Sequence, residues 1–127
     1  MRIVAQGIDL IECARIGHVL ERHGPRFLER ILTPAERAYV ADRRTPLPHI
    51  AGRFAAKEAV LKVLGTGWRG AVSWTDVEIV NDASGRPSVR LSGAGAEQAR
   101  RLRIGEVLVS ITHTKEYAAA TAIGVEP

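Results

Sequence analysis

Three features of the sequence predict an α+β fold with a mostly antiparallel sheet and packed helices. Strand-like segments occupy both ends of the chain, helical periodicity is concentrated in the first half, and two strand pairs with short turns fill the second half. The 127 residues suffice for one hydrophobic core and are hard to divide into two, so residues 1–127 are expected to form a single domain.

Residues 2–9 carry alternating β-branched side chains and read as a first strand that ends in Gly7-Ile8-Asp9, which puts a carboxylate at a strand end. Ile16, Val19 and Leu20 follow helical spacing up to the breaker pair Gly24-Pro25, so residues 12–23 are predicted as a helix. Phe27, Leu28, Ile31 and Leu32 suggest one or two further helical turns. In Thr33-Pro34-Ala35-Glu36 the threonine can cap, proline suits the first helical position, and Glu36 completes a capping box. That helix should run to about Arg43. Neither proline of Thr45-Pro46-Leu47-Pro48 has a backbone N–H to donate, so the next helix is placed at 49–64 with Gly65 as its C-terminal cap. A glycine-rich connection follows at 65–73. Val77, Ile79, Val89 and Leu91 flank a polar turn from Asn81 to Pro87, the pattern of a hairpin. Residues 94–103 read as a helix with Arg100, Arg101 and Arg103 near its C-terminal end, where cations suit the dipole. A second hairpin is predicted from 106–113 and 117–125. Its alanines at 118, 119, 120 and 122 are unusual in a strand and would permit close approach of another element or another chain.

Lys and Arg number 18 against 14 Asp and Glu, a formal charge of +4, which favours an anionic partner. Aromatic residues are few and no nucleic-acid motif is present, so nucleic acid is not the expected partner. The N-terminal apolar run is short and carries Asp9 and Glu12, which reads as neither a signal peptide nor a membrane span; the expected location is the cytoplasm. Cys13 is the only cysteine and reads as a small hydrophobe, without a disulfide or a zinc cluster. His18, His23 and His49 lack metal-ligand spacing and read as helix-surface residues. There is no P-loop, no nucleophile elbow and no dinucleotide fingerprint.

The segment Gly52-Arg53-Phe54-Ala55-Ala56-Lys57-Glu58-Ala59-Val60-Leu61-Lys62 concentrates charge on an otherwise apolar helix. Ala56, Ala59, Val60, Val63 and Leu64 share one face, and Glu58 and Lys62 stand together on the other. Two readings follow. The first is an exposed i,i+4 ion pair. In the second, Asp9 at the strand end and Glu58 on the helix converge. Two carboxylates, phosphate oxygens and water then make the oxygen-rich shell that magnesium takes, with Lys62 beside it as a phosphate-binding cation. Ser110-Ile111-Thr112-His113-Thr114 adds hydroxyls and an imidazole at a strand end, either as a polar surface strand or with His113 donating to a phosphate or ribose.

Four blocks in order resemble the signature of a known family. They are Gly7-Ile8-Asp9-Leu10-Ile11-Glu12, residues 27–33 (FLERILT), residues 52–62 with Gly65-Thr66-Gly67, and residues 110–120 (SITHTKEYAAA). The family is the short, trimeric class of 4′-phosphopantetheinyl transferases, and the blocks span nearly the whole chain. The resemblance implies that fold, with one pseudo-half unit per chain. It also implies magnesium-dependent transfer of 4′-phosphopantetheine from coenzyme A to a serine of apo acyl-carrier protein, releasing adenosine 3′,5′-bisphosphate and activating the carrier for fatty-acid synthesis. By residue match it implies Asp9 and Glu58 as metal ligands, Lys62 as the pyrophosphate contact, and Glu58 or a polarised water as the acceptor of the serine proton. It further implies Arg44, Arg53, Lys62, Gly65, Thr66, Gly67, Arg86 and His113 as coenzyme A contacts, with Lys57 and Arg69 adding charge around the cleft. Arg86 stands where the family more often has lysine. Arg15, Arg26 and Phe27 match positions that meet the acidic carrier. A homotrimer with active sites between adjacent subunits completes the expectation.

Overall fold

The protein, here a computed structural model, is described over residues 1–65 and 70–127. Its elements are β1 (Ile3–Glu12), α1 (Cys13–His23), α2 (Pro25–Ile31), α3 (Pro34–Ala41), α4 (Pro46–Leu64), β2 (Val77–Asn81), β3 (Pro87–Leu91), α5 (Gly93–Arg101), β4 (Glu106–His113) and β5 (Tyr117–Val125). A short 3-10 turn at Trp74–Asp76 leads into β2. The expected α+β order is present, and its antiparallel strands divide into two sheets: β1-β5-β4, and the β2-β3 hairpin.

Asp9 does not end the first strand. β1 continues through Glu12 because β5 offers paired backbone that far, with Asp9 opposite Ala120 and Glu12 opposite Tyr117. Helix α4 also departs from its expected start. It begins at Pro46 rather than His49, and both prolines fall in the first turn, where helical N–H groups have no partner within the helix in any case. The helix ends as expected on Gly65, at φ 74°, the left-handed conformation glycine tolerates.

α4 is the central element, and its contacts explain two sequence features. It is not two-faced: only Phe54, Glu58 and Lys62 escape burial between Ile50 and Leu64. Ala118, Ala120 and Ala122 of β5 are buried, facing the helix, so the small residues admit another element of the same chain. Gly7 and Gly124 serve the same close approach. A Cβ on Gly7 would lie 2.2 Å from the Ala59 carbonyl oxygen, and one on Gly124 would lie 2.7 Å from Val63 Cγ1. The other face of the three-stranded sheet exposes Ile8, Leu10, Leu108 and Tyr117.

On its opposite flank α4 is tied down by Lys57, which is fully buried. Lys57 Nζ donates to Glu36 Oε1 at 2.5 Å, to the Ile31 carbonyl at 2.7 Å and to the Trp74 carbonyl at 3.1 Å. Glu36 is the capping-box residue of α3: its Oε1 accepts from Thr33 N, and its Oε2 accepts from Ile79 N of β2. Lys57 therefore contributes no charge to a cleft, contrary to expectation; its ammonium joins α2, α3, α4 and the 3-10 turn that leads into β2.

Candidate active site

Two clefts beside α4 gather most of the expected site residues. The first, of about 300 Å³, is lined by Asp9 of β1, Arg15 and Ile16 of α1, Phe27 of α2, and Phe54 and Glu58 of α4. The structure thus brings the two expected metal ligands together with two of the three expected carrier contacts. Arg26 is exposed beside Phe27 and does not line this cleft. Phe27 stacks toward Phe54 (centroids 6.4 Å apart) and Phe54 toward Trp74 (5.1 Å), so the apolar wall continues into the body of the protein.

Asp9 faces α4, and burial pushes its carboxyl above the usual carboxylate range, opposed by the cations Lys62 and Arg15. A partly desolvated carboxylate held among cations retains a need for positive charge, and two carboxylates with hard oxygens are the donor set a magnesium ion accepts when phosphate and water complete its shell. Among the described residues no cluster of three or more His, Cys, Asp or Glu forms a cation site by itself. Lys62 reaches across to β1: Nζ donates to the Ile8 carbonyl at 2.7 Å and lies 3.7 Å from Asp9 Oδ1.

The second cleft, of about 160 Å³, is lined by His49, Gly52 and Arg53 of α4, Tyr39 of α3, Asn81 at the end of β2, and His113 of β4, with Gly85 and Pro87 at its rim. Arg53 and His113, on separate elements, are brought together as expected. Arg53 is buried, its guanidinium lying 3.9 Å from the centre of the Tyr39 ring and donating to Asn81 Oδ1. Arg53 Nε is buried without a hydrogen-bond partner, as is Arg43 Nε, and the Arg43 guanidinium also lies over Tyr39, at 4.5 Å. Orphaned, desolvated guanidinium donors beside a cleft are suited to an anionic ligand. Burial pushes Arg53 below its ordinary value, with Glu36 and Tyr39 opposing.

The remaining expected coenzyme contacts lie at the margins. Arg44 is exposed, and its neighbour Arg43 is the arginine packed on Tyr39. Arg86 is exposed at the tip of the β2-β3 turn, where its N–H donates to Asp82 Oδ1 at 3.0 Å. Ser84's hydroxyl and the backbone N–H groups of Ser84 and Arg86 hold the Asp82 carboxyl below its usual range. Gly65 caps α4; Thr66, Gly67 and Arg69 lie outside the described residues. Sequence reasoning missed Tyr39, Arg43 and Asn81, and it misread His49, which is only partly exposed and packs into this cleft. Their signals are weak: an aromatic one turn after Glu36, and an amide at a strand end.

With the site in view, comparison places the chain. It belongs to the 4′-phosphopantetheinyl transferase superfamily, whose profile matches residues 5–122, and it is a phosphopantetheinyl transferase. Within that superfamily it is similar to proteins named holo-[acyl-carrier-protein] synthase. One from Moorella thermoacetica is 49% identical over 117 residues, covering 92% of this chain and 90% of that protein. A crystal structure of the synthase from Neisseria meningitidis superposes with a TM-score of 0.91 at 33% identity, covering 98% of this chain and all of that one. The Helicobacter pylori synthase, solved in complex with coenzyme A, superposes at 0.84 with 32% identity over 95% of this chain and all of its own.

Proposed function

We propose that this transferase moves 4′-phosphopantetheine from coenzyme A to a serine hydroxyl of an apo acyl-carrier protein, at a site that a second copy of the chain completes. The serine oxygen bonds to the phosphorus that carries pantetheine, the bond from that phosphorus to the pyrophosphate bridging oxygen breaks, and adenosine 3′,5′-bisphosphate leaves. The observation that carries the reading is the convergence of Asp9, Glu58, Arg15 and Phe27 on one cleft with Lys62 beside it. Asp9 and Glu58 would hold Mg2+, which when bound supplies charge neutralisation for the pyrophosphate. Lys62 adds an ammonium for the same phosphates. Glu58, which with Asp9 lines the cleft among the described residues, is the carboxylate proposed to accept the serine proton. Phosphoryl transfer of this kind depends on alignment and charge more than on covalent participation by the protein.

Arg15 and Arg26 present charge to an acidic carrier, and Phe27 supplies an apolar anchor. Arg53 and His113 take the nucleotide end of coenzyme A, with Arg44, Arg86 and the 65–67 segment around it. The metal-ligand cleft and the cationic cleft draw on different turns of α4, and Arg53 stands about 7–8 Å from Glu58 along the helix axis. That separation, together with the exposed apolar face of Ile8, Leu10 and Leu108, supports a homotrimer in which neighbouring subunits unite the two clefts. Among the described residues no helix is long and apolar enough to cross a membrane; the compartment proposed is the cytoplasm.

The test incubates the protein with coenzyme A, Mg2+ and an apo carrier and weighs the carrier by mass spectrometry. A phosphopantetheine mass gain is expected, and none on a competent carrier would end the reading. Co-assembly tests the shared site: Asp9→Ala and Arg53→Ala variants, each inactive alone, should regain transfer when refolded together. A fully active monomer in light scattering would remove the trimer.

A further inference from the structure

His49 has no part in the chemistry proposed above. Its ring packs edge-on against two others, Tyr39 with centroids 6.1 Å apart and His113 with centroids 5.1 Å apart. The three rings form one row along the cationic cleft, running from α3 across the first turn of α4 to the end of β4. Among the described residues the charged groups that face His49 are cations or potential cations: Arg43 beyond α3, Arg53 on the next turn of α4, and His113 on β4. Among the described residues no carboxylate lines this cleft. Burial, and after it these neighbours, hold the His49 imidazole below its ordinary value, which favours its neutral form in the unliganded protein. A phosphate ester held by Arg53 and His113 reverses the local field. The imidazolium form of His49 then gains a counter-charge, so the ligand enters together with a proton.

We propose that His49 is a binding residue of this cleft, paired with His113 by ring contact, and that it couples the binding of an anionic phosphate ester to proton uptake. The inference rests on the coenzyme reading, in which the ester is the nucleotide end of coenzyme A. Its sign is fixed by linkage. A group whose affinity for protons rises on binding strengthens binding at low pH, and that gain fades as pH climbs through the bound-state value. The useful window lies above about pH 6, where a phosphate monoester remains largely dianionic.

Titration calorimetry with adenosine 3′,5′-bisphosphate as the probe, run on the intact protein in buffers of different ionisation enthalpy, counts the protons taken up. His49→Phe keeps a ring against His113 and removes the titrating nitrogens; His49→Ala removes both. Wild-type protein should take up protons and bind about tenfold more tightly near pH ~6.5 than near pH ~8, both within the range where the ester stays largely dianionic. His49→Phe should lose part of the uptake and flatten that profile to about threefold, and His49→Ala should also weaken binding at the alkaline end. Equal proton uptake by wild type and His49→Phe overturns the inference while leaving the coenzyme reading in place. Wild-type protein that binds no adenosine 3′,5′-bisphosphate overturns both.

Discussion

Helix α4 presents two lysines five residues apart in sequence, and they share almost nothing in environment. Lys57 is sealed from solvent and fully engaged by Glu36 and two carbonyls; the Lys62 side chain is 55% exposed and shares its ammonium between the Ile8 carbonyl and a longer contact to Asp9. Helical geometry separates them by five steps of about 100°, which turns Lys57 toward α3 and Lys62 toward β1. One short basic run therefore divides into an interior tie and an open cation. Charge density in a sequence therefore does not locate a site: the buried, saturated group holds the fold, and the half-exposed, incompletely paired one has capacity left for a ligand.

The largest expected effect breaks the interior side. Lys57→Met removes one partner of a buried ion pair and leaves the Glu36 carboxylate enclosed, a loss of about 3–5 kcal/mol. Denaturant unfolding should show it directly. A loss under about 1 kcal/mol would mean that this pair does not tie the elements together. Next come Asp9→Ala and Glu58→Ala on the open side. Transfer should fall by on the order of 10²–10³-fold, because the carboxylates proposed to hold Mg2+, and with it the positive charge that would offset the reacting phosphates, are lost. Their unfolding midpoints should stay close to wild type, since burial raises the Asp9 carboxyl above its usual range and its charged form therefore adds no net stability to the fold. Carrier mass gain measured beside thermal unfolding separates the two effects. Retained magnesium-dependent transfer in either variant would show that the metal lies elsewhere.

Much of the fold and of the Asp9–Glu58 cleft was legible in the sequence, because both rest on local signals. The α+β order, the Thr33–Glu36 capping box, the Gly65 cap and the hairpins follow from spacing and turn chemistry alone. The convergence of Asp9 with Glu58 needed only β1 to pack beside α4, and glycine at position 7 together with alanines on β5 allows that approach. Long-range matters were not legible. Nothing local distinguishes Lys57 from Lys62 until α3 supplies Glu36 from 21 residues away. Nor does helical periodicity reveal that α4 is covered on nearly every side, or that His49 meets His113. The strand end was misplaced at Asp9 because its true limit is set by β5, which lies more than a hundred residues further on.

The smallest expected effect concerns Lys62, and there stability and activity should separate most cleanly. An ion pair with one partner more than half exposed is worth about 0–1 kcal/mol, and salt screens it further. Lys62→Met should therefore shift unfolding free energy by less than about 1 kcal/mol and lose even that difference at high ionic strength. Transfer should nonetheless fall, by on the order of tenfold or more, because the compact ammonium beside Asp9, proposed to meet the pyrophosphate, is lost. Arginine at the position is not expected to restore full rate: its planar fork is a poor replacement for a compact ammonium that fits against the Ile8 carbonyl. Steady-state kinetics and denaturant unfolding on the same preparations decide the matter. If Lys62→Met loses as much stability as Lys57→Met, the open face of α4 is structural and the two lysines do not divide as their surroundings indicate.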